Sequence, residues 1–268
     1  MTPRSAPVYG AIAGDIVGSR FEGHPTKSRA FDLDHKRCRY TDDTVLTVAT
    51  AKAILDGAKQ SREAEYASAY KSFGRKDPHR GYGGSFRNWL ASDSLEPYGS
   101  FGNGSAMRVS PVGCAFDSRD EVLDQARLSA AATHDHPEGI KGAEAVAYTV
   151  WRCRTDPSAQ PGDLEYEITS LFGYVLDQSL DALRQNYTFD VTCQGSVPQA
   201  IIAFLESRST EDAIRNAVSL GGDSDTQACM AGAMAASRFG GPSEELIALV
   251  RRHLPEEYLR VIDALDEL

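Results

Sequence analysis

Cysteine is scarce in this chain, and where it occurs it stands alone. The 268 residues include five, Cys38, Cys114, Cys153, Cys193 and Cys229, with no C-x-x-C pair. An odd number without metal-finger spacing excludes a disulfide scaffold and a thiolate zinc site, and it points to a reducing compartment, the cytoplasm. Long apolar runs are missing as well. The N-terminal MTPRSAPVYGAIAGDIVGS is broken by Gly14 and Asp15, which argues against both a signal peptide and a membrane span. Positive charge is in deficit: 28 Lys and Arg face 38 Asp and Glu, a formal net charge of -10. That excludes a broad basic face for nucleic acid and leaves a local phosphate site open. Neither G-x-x-x-x-G-K-[ST] nor G-x-G-x-x-G occurs, so a P-loop and a dinucleotide-binding fingerprint both fail. Period-two alternation is rare, and no solenoid repeat, low-complexity tract or heptad seam appears.

What is present reads as helix. Apolar residues at three- and four-residue steps predict helices over Val8–Ser19, Asp42–Leu55, Asp120–Thr133, Pro137–Cys153, Val197–Leu205, Glu211–Val218, Thr226–Phe239 and Ser243–His253. DPHRGYGGS (Asp77–Ser85), YGSFGNGS (Tyr98–Ser105) and TDPSAQPGD (Thr155–Asp163) read as loops. None is long enough to be an interdomain linker. Hydrophobic residues make up 41% and charged residues 25%, the balance of a globular protein that folds without staples. The expectation is one all-α domain over residues 1–268, a monomer, with its chemistry on loops.

Two short stretches hold more oxygen than a helix start needs. YTDDTVLT (Tyr40–Thr47) sets Thr41, Asp42 and Asp43 before a helix, and GGDSDTQA sets Asp223, Ser224, Asp225 and Thr226 before another. Either alone is an ordinary cap with first-turn acids that complement the helix dipole. Together they supply four carboxylates and two threonine hydroxyls from points about 180 residues apart. An oxygen-only set suits Mg²⁺ or Mn²⁺, and two such ions balance four negative charges. Asp223 and Asp225 alternate along an extended chain, so both reach one ion only if that segment turns.

Three further features accompany them. Asp15 lies inside the apolar GAIAGDIVGSRFE, as a buried polar contact or as support for a site, the structural role being favoured. Glu22 follows on the loop before GHPTKS, either a solvated glutamate or a general base on a mobile segment. SFGNGSAMR and ATHDHPEG combine a loop whose amides can face phosphate with His134 and His136 near a Pro-led helix start.

In order, GDIVGSRFE, YTDDTVLT, GNGSAMR with THDHP, and GGDSDTQACMAGAMA resemble the ADP-ribosylglycohydrolase family, from about Val8 to Gly240. The resemblance implies a compact orthogonal multi-helix bundle and a binuclear Mg²⁺ or Mn²⁺ centre. It implies metal ligands at Thr41, Asp42, Asp43, Asp223, Asp225 and Thr226, with Glu22, and secondarily Asp43, moving protons. It implies substrate contacts from Gly102, Asn103, Gly104, Ser105, Met107 and His134, and from Phe101 as a stacking or loop contact; for Phe101 and for Tyr82, read the same way, core packing is the alternative. Many members read Gly-Gly-Asp-Thr-Asp-Thr where this chain has Ser224; the carboxylates and Thr226 remain. The implied activity is hydrolysis at C1″ of ADP-ribose carried by an arginine or serine side chain, by a nucleic-acid base or as O-acetyl-ADP-ribose. The alternatives are a non-catalytic ADP-ribose-binding or structural protein on the same fold, as in relatives that serve as crystallins, and a metal-dependent phosphohydrolase. The last lacks the several histidines such sites recruit.

Overall fold

Small residues decide how the centre of the molecule assembles. The structure, a computed structural model, describes residues 2–57 and 59–268. Gly10, Gly14 and Gly18 recur every fourth residue along the helix Ala6–Gly18, so they share one face. Ala228, Gly232 and Ala236 do the same along the helix Ser224–Phe239. These faces meet backbone to backbone. A Cβ at Gly14 would lie 2.0 Å from the Ala228 carbonyl oxygen, and one at Gly18 would lie 2.5 Å from the Asp225 Cα. Both helices are buried almost throughout, as helices apolar on all sides must be.

The other helices wrap this pair. Thr210–Val218, Cys193–Leu205 and Pro137–Thr155 pack on the central helix, and Asp42–Asp56 packs on Glu63–Lys76. Among the described residues there is no strand, only an isolated antiparallel bridge between Gly102 and Thr192. The fold is all-α, and the eight helices expected from periodicity are present, with ends moved by up to a turn.

Several helices lie outside the sequence expectation, including Glu63–Lys76, Gly84–Ala91, Pro161–Phe172 and Glu256–Asp263. The loops are accordingly shorter than they read. Gly84 opens a helix within the Asp77–Ser85 stretch, Gly104 opens a four-residue turn within Tyr98–Ser105, and Pro161 is the first residue of a helix within Thr155–Asp163. The proline-bearing stretch reads as a loop, but the fixed φ and missing N–H of Pro161 suit the first turn of a helix.

Candidate metal centre

Two helix starts converge. Thr41 has extended backbone (φ -116°, ψ -164°), and its Oγ1 accepts the Asp43 amide at 3.3 Å to begin Asp42–Asp56. Gly221 takes the left-handed conformation (φ +68°), and Asp223 caps the central helix. Glycine is required at that turn, where other residues are strained. The segment turns there, and Asp223 and Asp225 line one cavity of about 350 Å³ with Asp42, Asp43 and Thr226. Glu22 reaches the same cavity from the loop after the first helix.

Asp15 lies beneath this cluster, fully buried. Its Oδ1 accepts the Thr41 hydroxyl (2.8 Å), and its Oδ2 accepts the Thr41 amide (2.9 Å), the Thr44 amide (3.1 Å) and the Thr44 hydroxyl. One oxygen of each of Asp15, Asp43 and Asp225 lies within 4.8 Å of the others. Asp15 nevertheless has its lone pairs committed, so it supports the cluster by orienting Thr41 and the helix start. Thr41 gives its proton to Asp15 and spends one lone pair on the Asp43 amide, so one lone pair stays free.

Two of the remaining acids are only partly satisfied within the protein. Among the described residues, Asp43 Oδ1 and Asp225 Oδ1 are buried without a hydrogen-bond partner, whereas Asp43 Oδ2 accepts the Thr226 hydroxyl at 3.3 Å. Burial, then the Asp15 charge, pushes Asp42 up to about 8. Burial, then the Asp15 charge for Asp43 and the Asp223 charge for Asp225, holds both well above the usual carboxylate range. Asp223 is raised by burial and eased by the Asn103 amide, whose Nδ2 donates to its Oδ2 at 2.7 Å. Glu22 is raised by desolvation and then by Asp223. A buried carboxylate without a partner costs several kcal/mol, so orphaned oxygens on facing helices fit divalent cations that bind through oxygen. The tight cluster contains no Cys or His.

Another wall of the cavity comes from Gly102, Asn103, Gly104, Met107 and His134. His134 is buried, and burial followed by the Arg108 charge holds its ring far below the ordinary histidine range, hence neutral. Arg108 Nη2 donates to Thr133 Oγ1 at 2.7 Å, and that oxygen lies 2.7 Å from His134 Nδ1. A threonine hydroxyl has two lone pairs, so which atom donates between Thr133 Oγ1 and Nδ1 follows the tautomer of the ring. Nε2 is the nitrogen nearest Gly104, where an added Cβ would lie 3.2 Å away. His134 thus offers the cavity a neutral ring nitrogen.

Two residues read as substrate contacts, Ser105 and Phe101, lie elsewhere, and Tyr82 takes the second of its two readings. The Ser105 hydroxyl is fully buried and donates to the Gly139 carbonyl at 2.7 Å. Phe101 is exposed outside the cavity, its ring 5.2 Å from His136. Tyr82 is core, stacked on Phe86 at 5.2 Å with its hydroxyl on the Asp77 carbonyl. Thr41 supports the cavity without lining it. Ser224 donates to the Gly222 carbonyl at 3.2 Å and lies off the cavity, so a serine serves there.

Sequence reasoning missed other lining residues: Gly81, Gly83, Tyr98, Arg108, Phe189 and Val191. The last two belong to a stretch without readable signal. The Asn103 amide donates to the Val191 carbonyl (2.8 Å) and the Cys193 amide to that of Phe101 (2.9 Å), and this pairing brings them in. Only Arg108, an ion inside GNGSAMRVS, carried a hint.

The chain matches the ADP-ribosylglycohydrolase family over residues 6–267. It is 31% identical to the mouse ADP-ribosylhydrolase ARH3, covering 86% of this chain and 82% of that protein. The human ARH3 is 30% identical, at 86% and 84% coverage. The uncharacterized protein YegU of Escherichia coli K12 is 27% identical, at 87% and 86%. Among solved structures, an ADP-ribosylglycohydrolase-related protein complex aligns with a TM-score of 0.74 and 23% identity, covering 99% of this chain and 98% of that chain.

Proposed function

The chain belongs to the ADP-ribosylglycohydrolase family, and from that premise we propose that it frees ADP-ribose from a modified arginine or serine side chain, or a related conjugate, by hydrolysis at C1″. Family and relatives support a glycohydrolase. The observation that carries metal dependence is the pair of orphaned oxygens, Asp43 Oδ1 and Asp225 Oδ1. The residues that would hold two Mg²⁺ or Mn²⁺ ions are Thr41, Asp42, Asp43, Asp223, Asp225 and Thr226. When bound, such ions supply Lewis acidity, hold ribose hydroxyls and lower the pKa of water.

The chain's own residues do the rest. Backbone at Gly102 and Gly104, with His134 Nε2–H, holds ribose and diphosphate oxygens, so an anion binds locally on an acidic protein. The C1″ bond to the carrier atom breaks through an oxocarbenium-like state, and a water oxygen bonds to C1″. Glu22, whose raised pKa suits proton transfer, gives a proton to the departing atom and regains one from the water. Asp43 is the second candidate for this role. The five cysteines, all free and buried, suit a reducing compartment, and we place the protein in the cytoplasm as a monomer. No helix among the described residues is long and apolar enough to cross a membrane.

ADP-ribose release from modified protein tests the reading. EDTA and Asp225→Ala should each abolish it, and Mg²⁺ or Mn²⁺ should restore the EDTA-treated wild type. Full activity in either condition overturns the metal-dependent mechanism. Tight binding of ADP-ribose without turnover of any conjugate makes the chain a binder instead.

A further inference from the structure

A second cavity, of about 470 Å³, adjoins the acid-lined one, and Glu22 and Phe189 line both. Its other walls include Arg20, Arg37, Arg39 and His24, with Glu22 its single carboxylate. This concentrates positive charge on a chain of net charge -10. Among the described residues, none of these arginines is in an ion pair. Nearby Arg29, Arg215 and Arg252 are paired, with Asp212, Glu211 and Asp34.

Arg20 is also held in place. Arg20 lies 4.5 Å from the Phe21 ring centre and 5.7 Å from that of Phe31, and its Nη2 donates to the Asp32 carbonyl at 2.6 Å. Its Nε is buried without a partner. The Arg39 amide donates to Ser19 Oγ at 3.1 Å, which ties the second arginine-bearing segment to the end of the first helix. Unpaired guanidinium groups attract carboxylates and accept them in bidentate fashion, and they repel another guanidinium.

We propose that this second cavity holds the carrier side of the bond to be cleaved, and that it takes an acidic peptide whose carboxylates flank the modified residue. The proposal rests on the reading of the acid-lined cavity as the site of C1″ cleavage, because the carrier then departs past Glu22. Arg20, Arg37 and Arg39 pair with the flanking carboxylates. Phe189, 54% exposed and shared by both cavities, covers apolar side chains of the peptide. A hydroxyl-linked residue in acidic surroundings is favoured, and an arginine-linked one is repelled. A peptide fits better than nucleic acid, because a long polyanion leaves this patch and meets the acidic remainder of the surface.

The test uses fluorescent serine-ADP-ribosylated peptides differing only in flanking residues: acidic, neutral or basic. An arginine-linked peptide and an oligonucleotide with ADP-ribose on its terminal phosphate complete the set. At low ionic strength the acidic peptide should exceed the basic one in kcat/KM by about tenfold or more. That ratio should fall toward unity at high salt, and in the folded Arg37→Gln/Arg39→Gln variant. Equal rates and equal binding for all flanks overturn the proposal. Arginine-dependent preference for the oligonucleotide overturns it in favour of nucleic acid. Fluorescence anisotropy of the same peptides reads the cavity whether or not the bond is cleaved. Absence of turnover on every substrate therefore counts against the proposed activity alone, and anisotropy still decides the peptide preference.

Discussion

Thr133 shows how one hydroxyl sets the chemistry of its neighbour. It accepts from Arg108 and pairs with His134 Nδ1; when it donates to Nδ1, the imidazole presents Nε2–H to the cavity, the arrangement the proposed function uses. Thr133→Val should abolish this tautomer preference, seen in the ring ¹⁵N shifts. It should also weaken ADP-ribose binding about tenfold, the worth of one hydrogen bond. Thr133→Ser should restore both, and an unchanged ¹⁵N spectrum in the valine variant would refute the assignment. Asp15 is a second such residue. Asp15→Asn keeps the volume but turns an amide NH₂ toward the Thr41 and Thr44 donors. We expect a loss of about 3 kcal/mol in denaturant unfolding, in the range for breaking a buried charged network. The acid pairs and their threonines were legible from residue types alone. The role of Asp15 was not, because a lone acid in an apolar helix reads the same whether it supports a site or a core contact.

At the scale of elements, the glycine face of the first helix holds the two halves of the cavity together. Gly14→Ala would place a Cβ 2.0 Å from the Ala228 carbonyl oxygen, which is backbone and cannot swing aside. The helices must separate, and we expect a loss of about 3 kcal/mol or more despite alanine's better helix propensity. Metal affinity, measured by calorimetry, should fall too, since Asp225 stands one turn from the contact. Gly162→Ala is the control: it lies in a helix with nothing within 4 Å, and it should stabilise by about 0.5–1 kcal/mol. If both variants unfold alike, the close approach does not hold the site. The fourfold spacing of small residues was visible along the chain, but its partner face was not, since spacing says nothing about which helix it meets.

Over the whole molecule, the buried acids link stability to protons and cations. Asp42 has an ordinary value of 3.8 and is pushed up to about 8 in the fold. The folded state therefore holds protons that the unfolded chain has released. That contribution is complete below about pH 4 and is lost as pH rises through about 8. The metal-free Tm should be higher near about pH 5 than near about pH 8, and Mn²⁺ should raise it more at the higher pH, where protons compete less. Differential scanning fluorimetry in EDTA and in Mn²⁺ reads both, and the reverse order would refute the linkage. The sequence by itself determined the all-α class, because helical periodicity is local, and it determined the oxygen-only donor set, because residue identity is local too. Only the tertiary structure decided which oxygens are left unpaired, that Ser105, Phe101 and Tyr82 stand off the cavity, and that Phe189 and three unpaired arginines stand beside Glu22. Those outcomes depend on contacts between segments far apart in the chain, and local patterns cannot encode them.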